Sequence, residues 1–155
     1  MSWDQHWQAQ IALNASKSKD RSRQVGCVIV NDRNVALAQG WNGFPRGVSD
    51  DVDDRHQRPA KYAWTEHAER NAIYNAASEG IRLRGATIHL SWFPCVDCAR
   101  GIIQTGLAEV VCIEPDWNDP SFDFKISLAM LTEAGVQVRY VEGQAPVRKE
   151  HTCAA

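Results

Sequence analysis

The sequence predicts an α/β fold in three layers: a mixed five-stranded sheet with helices on both faces and its last two strands parallel. Three observations point to it. The 155 residues are 44% hydrophobic, enough for one domain with a buried core and too few for two comfortable ones. Apolar runs of strand length alternate with segments of helical periodicity, in the order α β β α β α β α β. The first two runs are joined by a hairpin-length turn, whereas a helix of about fourteen residues separates the last two, long enough for a right-handed crossover between parallel strands.

From Asp4 to about Ser18, Trp7, Ile11 and Ala15 recur four apart, with Ala12 and Leu13 filling in, which is the stripe of an amphipathic first helix. Val25 to Val30 and Val35 to Ala38 are apolar runs joined by NDRN, a β-hairpin pattern. The segment WNGFPRGVSDDVDDRHQRPAKYAW that follows Gly40 is polar, turn-rich and too long for a plain connection. It reads as a substrate-binding loop, with a variable surface insertion as the alternative. Glu66 to about Glu79 is helical through Ala68, Ala72, Ile73 and Ala76, until Gly80 ends it. A strand from Ala86 to Trp92 leads into Pro94 and a helix from Cys95 to about Thr105. Val110 to Ile113 is the fourth strand, Ser121 to Ala134 a helix closed by Gly135, and Val136 to Val141 the fifth strand. Residues 1–145 thus form one domain, and 146–155 a loose tail in which His151 and Cys153 have no assigned role.

Charged residues make up 23% and the formal net charge is -2, which argues against a long nucleic-acid partner but not against a small anion. The five cysteines are odd in number and two of them form a CxxC, so metal or redox chemistry in a reducing, cytoplasmic setting is expected rather than a disulfide framework. No signal peptide and no run of membrane-spanning length is seen, so no membrane partner is expected.

The chemistry concentrates in HAE (His67, Ala68, Glu69) and PCVDC (Pro94 to Cys98). Cys95 and Cys98 lie three apart at a helix start, so one ion can reach both sulfurs, and the helix dipole favours thiolates there. With His67 they form a three-ligand zinc site that keeps one position open. Two thiolates neutralise the ion and weaken it as an activator of water, so an adjacent carboxylate is needed to take the proton; Glu69 is the candidate. A CxxC between strand and helix is also where thioredoxin-like redox proteins carry theirs. A structural zinc would need a fourth ligand, for which His89, Cys112, Cys27 or His56 could be proposed, none with paired spacing. The conjunction of the two motifs favours a catalytic metal.

These residues resemble the zinc-dependent cytidine and deoxycytidylate deaminase superfamily. HAE with PCxxC is its shared signature. SKDRSRQVGCVIVN (Ser18 to Asn31), GWNGFPRG (Gly40 to Gly47), SDD (Ser49 to Asp51), HAERNAI (His67 to Ile73) and FPCVDCARGII (Phe93 to Ile103) narrow the resemblance to the branch acting on dCMP, over about residues 18–142. It implies a cytidine deaminase-like fold, one Zn²⁺ per chain, and hydrolytic deamination of dCMP to dUMP with release of ammonia. In that chemistry activated water attacks C4 of cytosine while Glu69 carries the proton to N3 and then to the departing ammonia.

The resemblance further implies that Asn42 hydrogen-bonds the sugar; a tight Asn42–Gly43 turn is the bland alternative. Lys19 is the first candidate for the 5′-phosphate, with Arg46, Arg58 and Lys61 as others. Ala68 joins the substrate-binding set. So do Trp41, which replaces the family's usual tyrosine, and Trp64, Glu66 and Trp92, whose rings and charge would select the base. The loop after WNG holds only His56 and no cysteine, so the second structural zinc of some relatives is not expected. A homo-oligomer, a hexamer in the dCMP branch, is implied, with dCTP and dTTP as allosteric effectors; the six tryptophans would supply apolar surface for partners. The alternatives are a related zinc deaminase acting on another small nucleotide, nucleoside or base, such as cytidine, guanine or a modified pyrimidine, and a non-catalytic zinc-stabilised interaction module. A tRNA-editing adenosine deaminase would need a basic face, against which the acidic SDDVDD argues.

Overall fold

The computed structural model describes residues 1–143 and Pro146. The tail expected over 146–155 therefore lies, apart from Pro146, outside the described residues. Along the chain run α1 (Trp3–Ala15), β1 (Gly26–Val30), β2 (Ala36–Trp41), a 3-10 turn (Asp53–His56), α2 (Lys61–Trp64), α3 (Ala68–Ser78), β3 (Thr87–Leu90), α4 (Val96–Thr105), β4 (Glu109–Cys112), α5 (Phe124–Glu133) and β5 (Gln137–Tyr140).

The expected sequence of elements is present, with four corrections. Strand β2 continues past Ala38, because Gln39, Gly40 and Trp41 pair with Val28, Cys27 and Gly26. Helix α3 begins at Ala68 rather than Glu66, since Glu66 instead forms a two-way bridge with Gly43 (3.0 and 2.8 Å). Helix α5 starts at Phe124, where the Asp123 carboxylate accepts from the Ile126 amide at 3.2 Å and sets the N-terminus. The long loop after β2 contains the 3-10 turn and α2, too short to register as periodic.

The sheet order is β2-β1-β3-β4-β5. Strand β1 is antiparallel to both neighbours, while β3, β4 and β5 are parallel, as the helical crossovers require. Helix α1 covers one face, burying Trp7 and Ile11 against Val28 and Val30. On the other face Cys27, Ile29, Ile88, Leu90 and Val110 form the larger core with Ala68, Ala72, Ala99, Ile102 and Leu131 of α3, α4 and α5. Two glycines set the helix–sheet distance. A Cβ on Gly26 would lie 2.2 Å from Ile11 O in α1, and one on Gly40 would lie 2.3 Å from Ala68 O in α3. Among the described residues no helix is long and apolar enough to cross a membrane.

Candidate active site

His67 and Cys95 occupy equivalent places: each is the N-cap of its helix, α3 and α4, in extended backbone, and neither side chain caps its own helix. The two helix starts face each other across the larger core. His67 Nδ1 lies 3.4 Å from Cys95 Sγ and 3.5 Å from Cys98 Sγ. An ion at ordinary Zn–N and Zn–S lengths with tetrahedral angles requires about 3.6 Å between nitrogen and sulfur. The donor set therefore fits zinc in chemistry and spacing. Among the described residues these three donors form the cluster that could hold a metal.

The residues considered for a fourth ligand are elsewhere. His89 packs against Trp7 on the α1 face, ring centroids 5.9 Å apart. His56 Nε2 meets Asp50 O at 2.7 Å in the outer loop, and the Cys27 thiol donates to Ala68 O at 3.1 Å. Cys112 is buried in the core. The arrangement is the three-ligand kind that leaves a position for substrate or water.

Glu69, in the first turn of α3, is 4% exposed, and burial raises its carboxyl above the ordinary value. Cys95 ionises first of the thiols: hydrogen bonds from Cys98, and then with His67, draw it down to about 4. Cys98 is pushed up, by its hydrogen bond to Cys95 and then by burial. A divalent cation between them removes that conflict, because it favours both thiolates. For His67, burial opposes the charged ring, but the bond to Cys95 and the charge of Glu69 outweigh it and the pKa rises.

His67 and Cys95 form the floor of a cleft of about 210 Å³, with Cys98 buried behind them. Its walls come from four segments just beyond one edge of the sheet: Asp20 to Val25 before β1, Asn42 and the α2 region after β2, Trp92 and Phe93 after β3, and Asp119 to Phe124 after β4. Phe122 lies edge-on to the His67 ring at 6.5 Å and to Trp92 at 5.2 Å, making an aromatic wall beside the donors.

Of the sequence-predicted residues, His67, Glu69, Cys95, Cys98, Ala68, Asn42, Trp92, Arg58 and Lys61 come together at this cleft, Cys98 from behind it. Asn42 makes no Asn–Gly turn. Its Oδ1 accepts from the Val25 amide at 2.8 Å, and its Nδ2 donates to Asp20 and to Arg23 O, leaving one acceptor lone pair on Oδ1.

Lys19, Trp41, Trp64, Glu66 and Arg46 do not line the cleft. Lys19 pairs with Asp50 at 2.8 Å and lines, with Trp41, a second cleft on the outer side of the WNG segment. Trp64 is 37% exposed beneath the Arg55 guanidinium, and Arg46 reaches out to Asn75. Glu66 Oε1 accepts from the His67 amide at 2.9 Å and binds Arg70, so it positions the start of α3.

Arg23, Tyr62, Thr65 and Phe122 are cleft residues that sequence reasoning missed. For Arg23 a signal existed: it is a basic side chain two residues before Val25, where the chain enters β1.

The family model for the cytidine and deoxycytidylate deaminase zinc-binding region matches residues 1–114. Human deoxycytidylate deaminase is 35% identical over 144 residues, spanning 90% of this chain and 79% of that one. A probable deoxycytidylate deaminase of Drosophila melanogaster is 36% identical over 147 residues, spanning 88% and 71%. The apo crystal structure of dCMP deaminase from the cyanophage S-TIM5 superposes with a TM-score of 0.69 at 24% identity, covering 89% of this chain and 96% of that one, a likeness of fold. With its donor triad at two facing helix starts and this match over most of its length, the chain belongs to the zinc-binding cytidine and deoxycytidylate deaminase family.

Proposed function

We infer that this chain is a zinc-dependent hydrolase that deaminates dCMP to dUMP with release of ammonia. The observation that carries the reading is a buried carboxylate, Glu69, beside the His67–Cys95–Cys98 donor set at the floor of an aromatic-walled cleft. When bound, zinc supplies the Lewis acidity that makes water a nucleophile at neutral pH.

The chain's own groups do the rest. Glu69 takes the proton of the attacking water and delivers it to N3 as the oxygen bonds to C4. It then relays a proton to the exocyclic amine as the C4–N bond breaks and ammonia leaves. Burial raises its proton affinity above that of a free carboxylate, which favours taking the proton from water. Phe122 and Trp92 offer faces and edges to a flat ring, and the amide of Ala68, first residue of α3, has no acceptor within its helix and can bind the ring's carbonyl. The remaining Oδ1 lone pair of Asn42 accepts from a sugar hydroxyl.

The test is ammonia release by the zinc-loaded protein from dCMP, CMP, deoxycytidine, cytosine, guanine and dCTP. Preference for dCMP is expected; silence on dCMP with clear turnover of another compound overturns the assignment.

Homo-oligomeric assembly, effects of dCTP and dTTP and a cytoplasmic setting go with this reading. Exposed Trp3, Leu13 and Tyr74 supply apolar surface for assembly, checked by sedimentation velocity. The second cleft, about 120 Å³, holds Lys17 beside the Lys19–Asp50 and Lys61–Asp20 pairs, Trp41 and Phe44, and a role for it in effector binding is checked by assaying with each triphosphate added.

A further inference from the structure

The zinc donors stand on two helix starts, so the site keeps its shape only if α3 and α4 keep their places relative to each other. One side chain outside the cleft joins the two helices directly. Arg70, in the first turn of α3, is 23% exposed along its side chain. Its stem lies along α4: a Cβ on Gly101 would be 3.8 Å from Arg70 Cγ and 3.6 Å from Ile73 Cδ1, ordinary packing distances.

The guanidinium uses both of its edges. Nε and Nη2 bond Glu66 Oε1, and Nη1 lies 3.6 Å from Asp97 Oδ2. Glu66 is the residue just before His67, and the same oxygen accepts from the His67 amide at 2.9 Å, while the Glu66 backbone is pinned to Gly43 by two hydrogen bonds. Asp97 stands between Cys95 and Cys98 in the first turn of α4. One planar cation thus links the entry of the histidine donor to the turn that carries both sulfur donors.

A Glu–Arg pair four residues apart on a solvated helix would carry no such meaning. This pair differs in two respects. Glu66 and Arg70 are 22% and 23% exposed, so solvent screens them less than a surface pair, and both ends of the network hold donor segments. Arg139 gives the contrast: it joins Asp4 of α1 to Glu109 of β4, a network of the same extent with no metal donor on either element.

We propose that Arg70 is a positioning residue of the metal centre: it ties the start of α3 to the start of α4 through Glu66 and Asp97 and so sets the spacing of His67 from Cys95 and Cys98. Lysine, a point charge, could hold one of the two carboxylates but not both in fixed directions. The proposal rests on the zinc reading of the donor set and not on the choice of substrate.

The experiment measures zinc affinity by competition with a chromophoric chelator, and the visible spectrum of the Co²⁺-loaded protein, for wild type, Arg70→Met, Arg70→Lys, Asp97→Asn, the double variant Arg70→Met/Asp97→Asn, and Arg139→Met. Met keeps an apolar stem over Gly101 and removes the charge, and urea unfolding reports whether each variant folds. Arg70→Met should lose about 10- to 100-fold in zinc affinity, the range for groups that orient metal ligands, and its Co²⁺ bands should shift. Arg70→Lys should recover part of the loss. Asp97→Asn alone should also weaken zinc binding, yet adding it to Arg70→Met should change the affinity by less than about 3-fold, because the tie is already cut. Arg139→Met should leave zinc affinity and the Co²⁺ bands as they are. Wild-type zinc affinity and Co²⁺ bands in Arg70→Met, or equal losses in Arg70→Met and Arg139→Met, overturn the tie. If Arg70→Met does not fold, Asp97→Asn decides, since its side chain is 56% exposed: undiminished zinc binding there overturns the tie as well. A wild type that takes up no zinc removes the metal reading and the tie together, whereas one that binds zinc and leaves dCMP untouched removes only the substrate assignment.

Discussion

Replacing Gly40 with alanine separates the stability of this fold from the placement of its chemistry. The added Cβ would lie 2.3 Å from Ala68 O and 2.6 Å from Ala72 N, both main-chain atoms of α3 that no rotamer change can clear. Ordinary contact begins at 3.4 Å, so α3 has to retreat from the sheet by about 1 Å. That helix holds Glu69 in its first turn and His67 at its N-cap, whereas Cys95 and Cys98 stay with α4. Overpacking of this kind costs about 1–3 kcal/mol. A 1 Å displacement of reacting groups costs on the order of 100-fold in rate.

Gly26→Ala is the matched control. Its Cβ would meet Ile11 O at 2.2 Å and Ala15 N at 2.6 Å, the same clash against α1, which holds no metal donor. Both variants should lose comparable stability by urea unfolding. Only Gly40→Ala should also lose zinc affinity against a chromophoric chelator and on the order of 100-fold in kcat/KM for dCMP. Equal zinc affinity and equal turnover per folded molecule in the two variants would refute the idea that the α3–sheet distance sets the site.

Glu69→Gln should fold, keep its zinc by elemental analysis and lose about 10²- to 10⁴-fold in kcat, the usual worth of a proton carrier; near-normal turnover contradicts the mechanism. Lys61→Met leaves Asp20 buried without its cation and should cost about 3–5 kcal/mol in urea unfolding, with much of the loss restored by adding Asp20→Asn. A loss under about 1 kcal/mol would mean that the pair is dispensable. His89 provides a pH test: burial lowers its pKa from 6.5 to about 4. Below the unfolded value the unfolded chain takes up a proton that the folded one refuses, so stability falls between pH 6.5 and about 4 and levels off beneath, a total of about 3 kcal/mol. Subtracting the profile of His89→Leu should isolate that slope, and coincident profiles would remove His89 as its source.

The metal site was legible because its constraint is local. Two sulfurs three residues apart at a helix start, and a histidine two residues before an acid, restrict geometry whatever the rest of the chain does. The parallel pairing of the last two strands was legible too, since crossover length fixes it. Which side of a loop faces the cleft was not. Lys19 and Trp41 flank Asp20 and Asn42 in sequence, yet they line only the outer cleft, whereas Asp20 and Asn42 lie between the two clefts and line both. Lys61 reads as a solvated charge until its partner is found 41 residues earlier at Asp20. Arg23 acquires its place from Trp92, a contact between the entrance of one strand and the exit of another that no local pattern encodes.

The division between what the core fixes and what the loops supply has a chemical consequence. The cleft gathers where β1 begins and β2, β3 and β4 end, the edge of an open α/β sheet at which diverging connections leave a crevice. Ala68 and Cys98, fully buried, lock both helix starts into the core, so moving a zinc donor means moving a packed helix. The cleft walls differ in kind: Arg23, Arg58 and Tyr62 stand on the connections before β1 and after β2, outside the core cluster. Substitutions on those connections should therefore alter which pyrimidine compound is accepted at little cost in stability, whereas changes that reach α3 or α4 should abolish turnover for every substrate together.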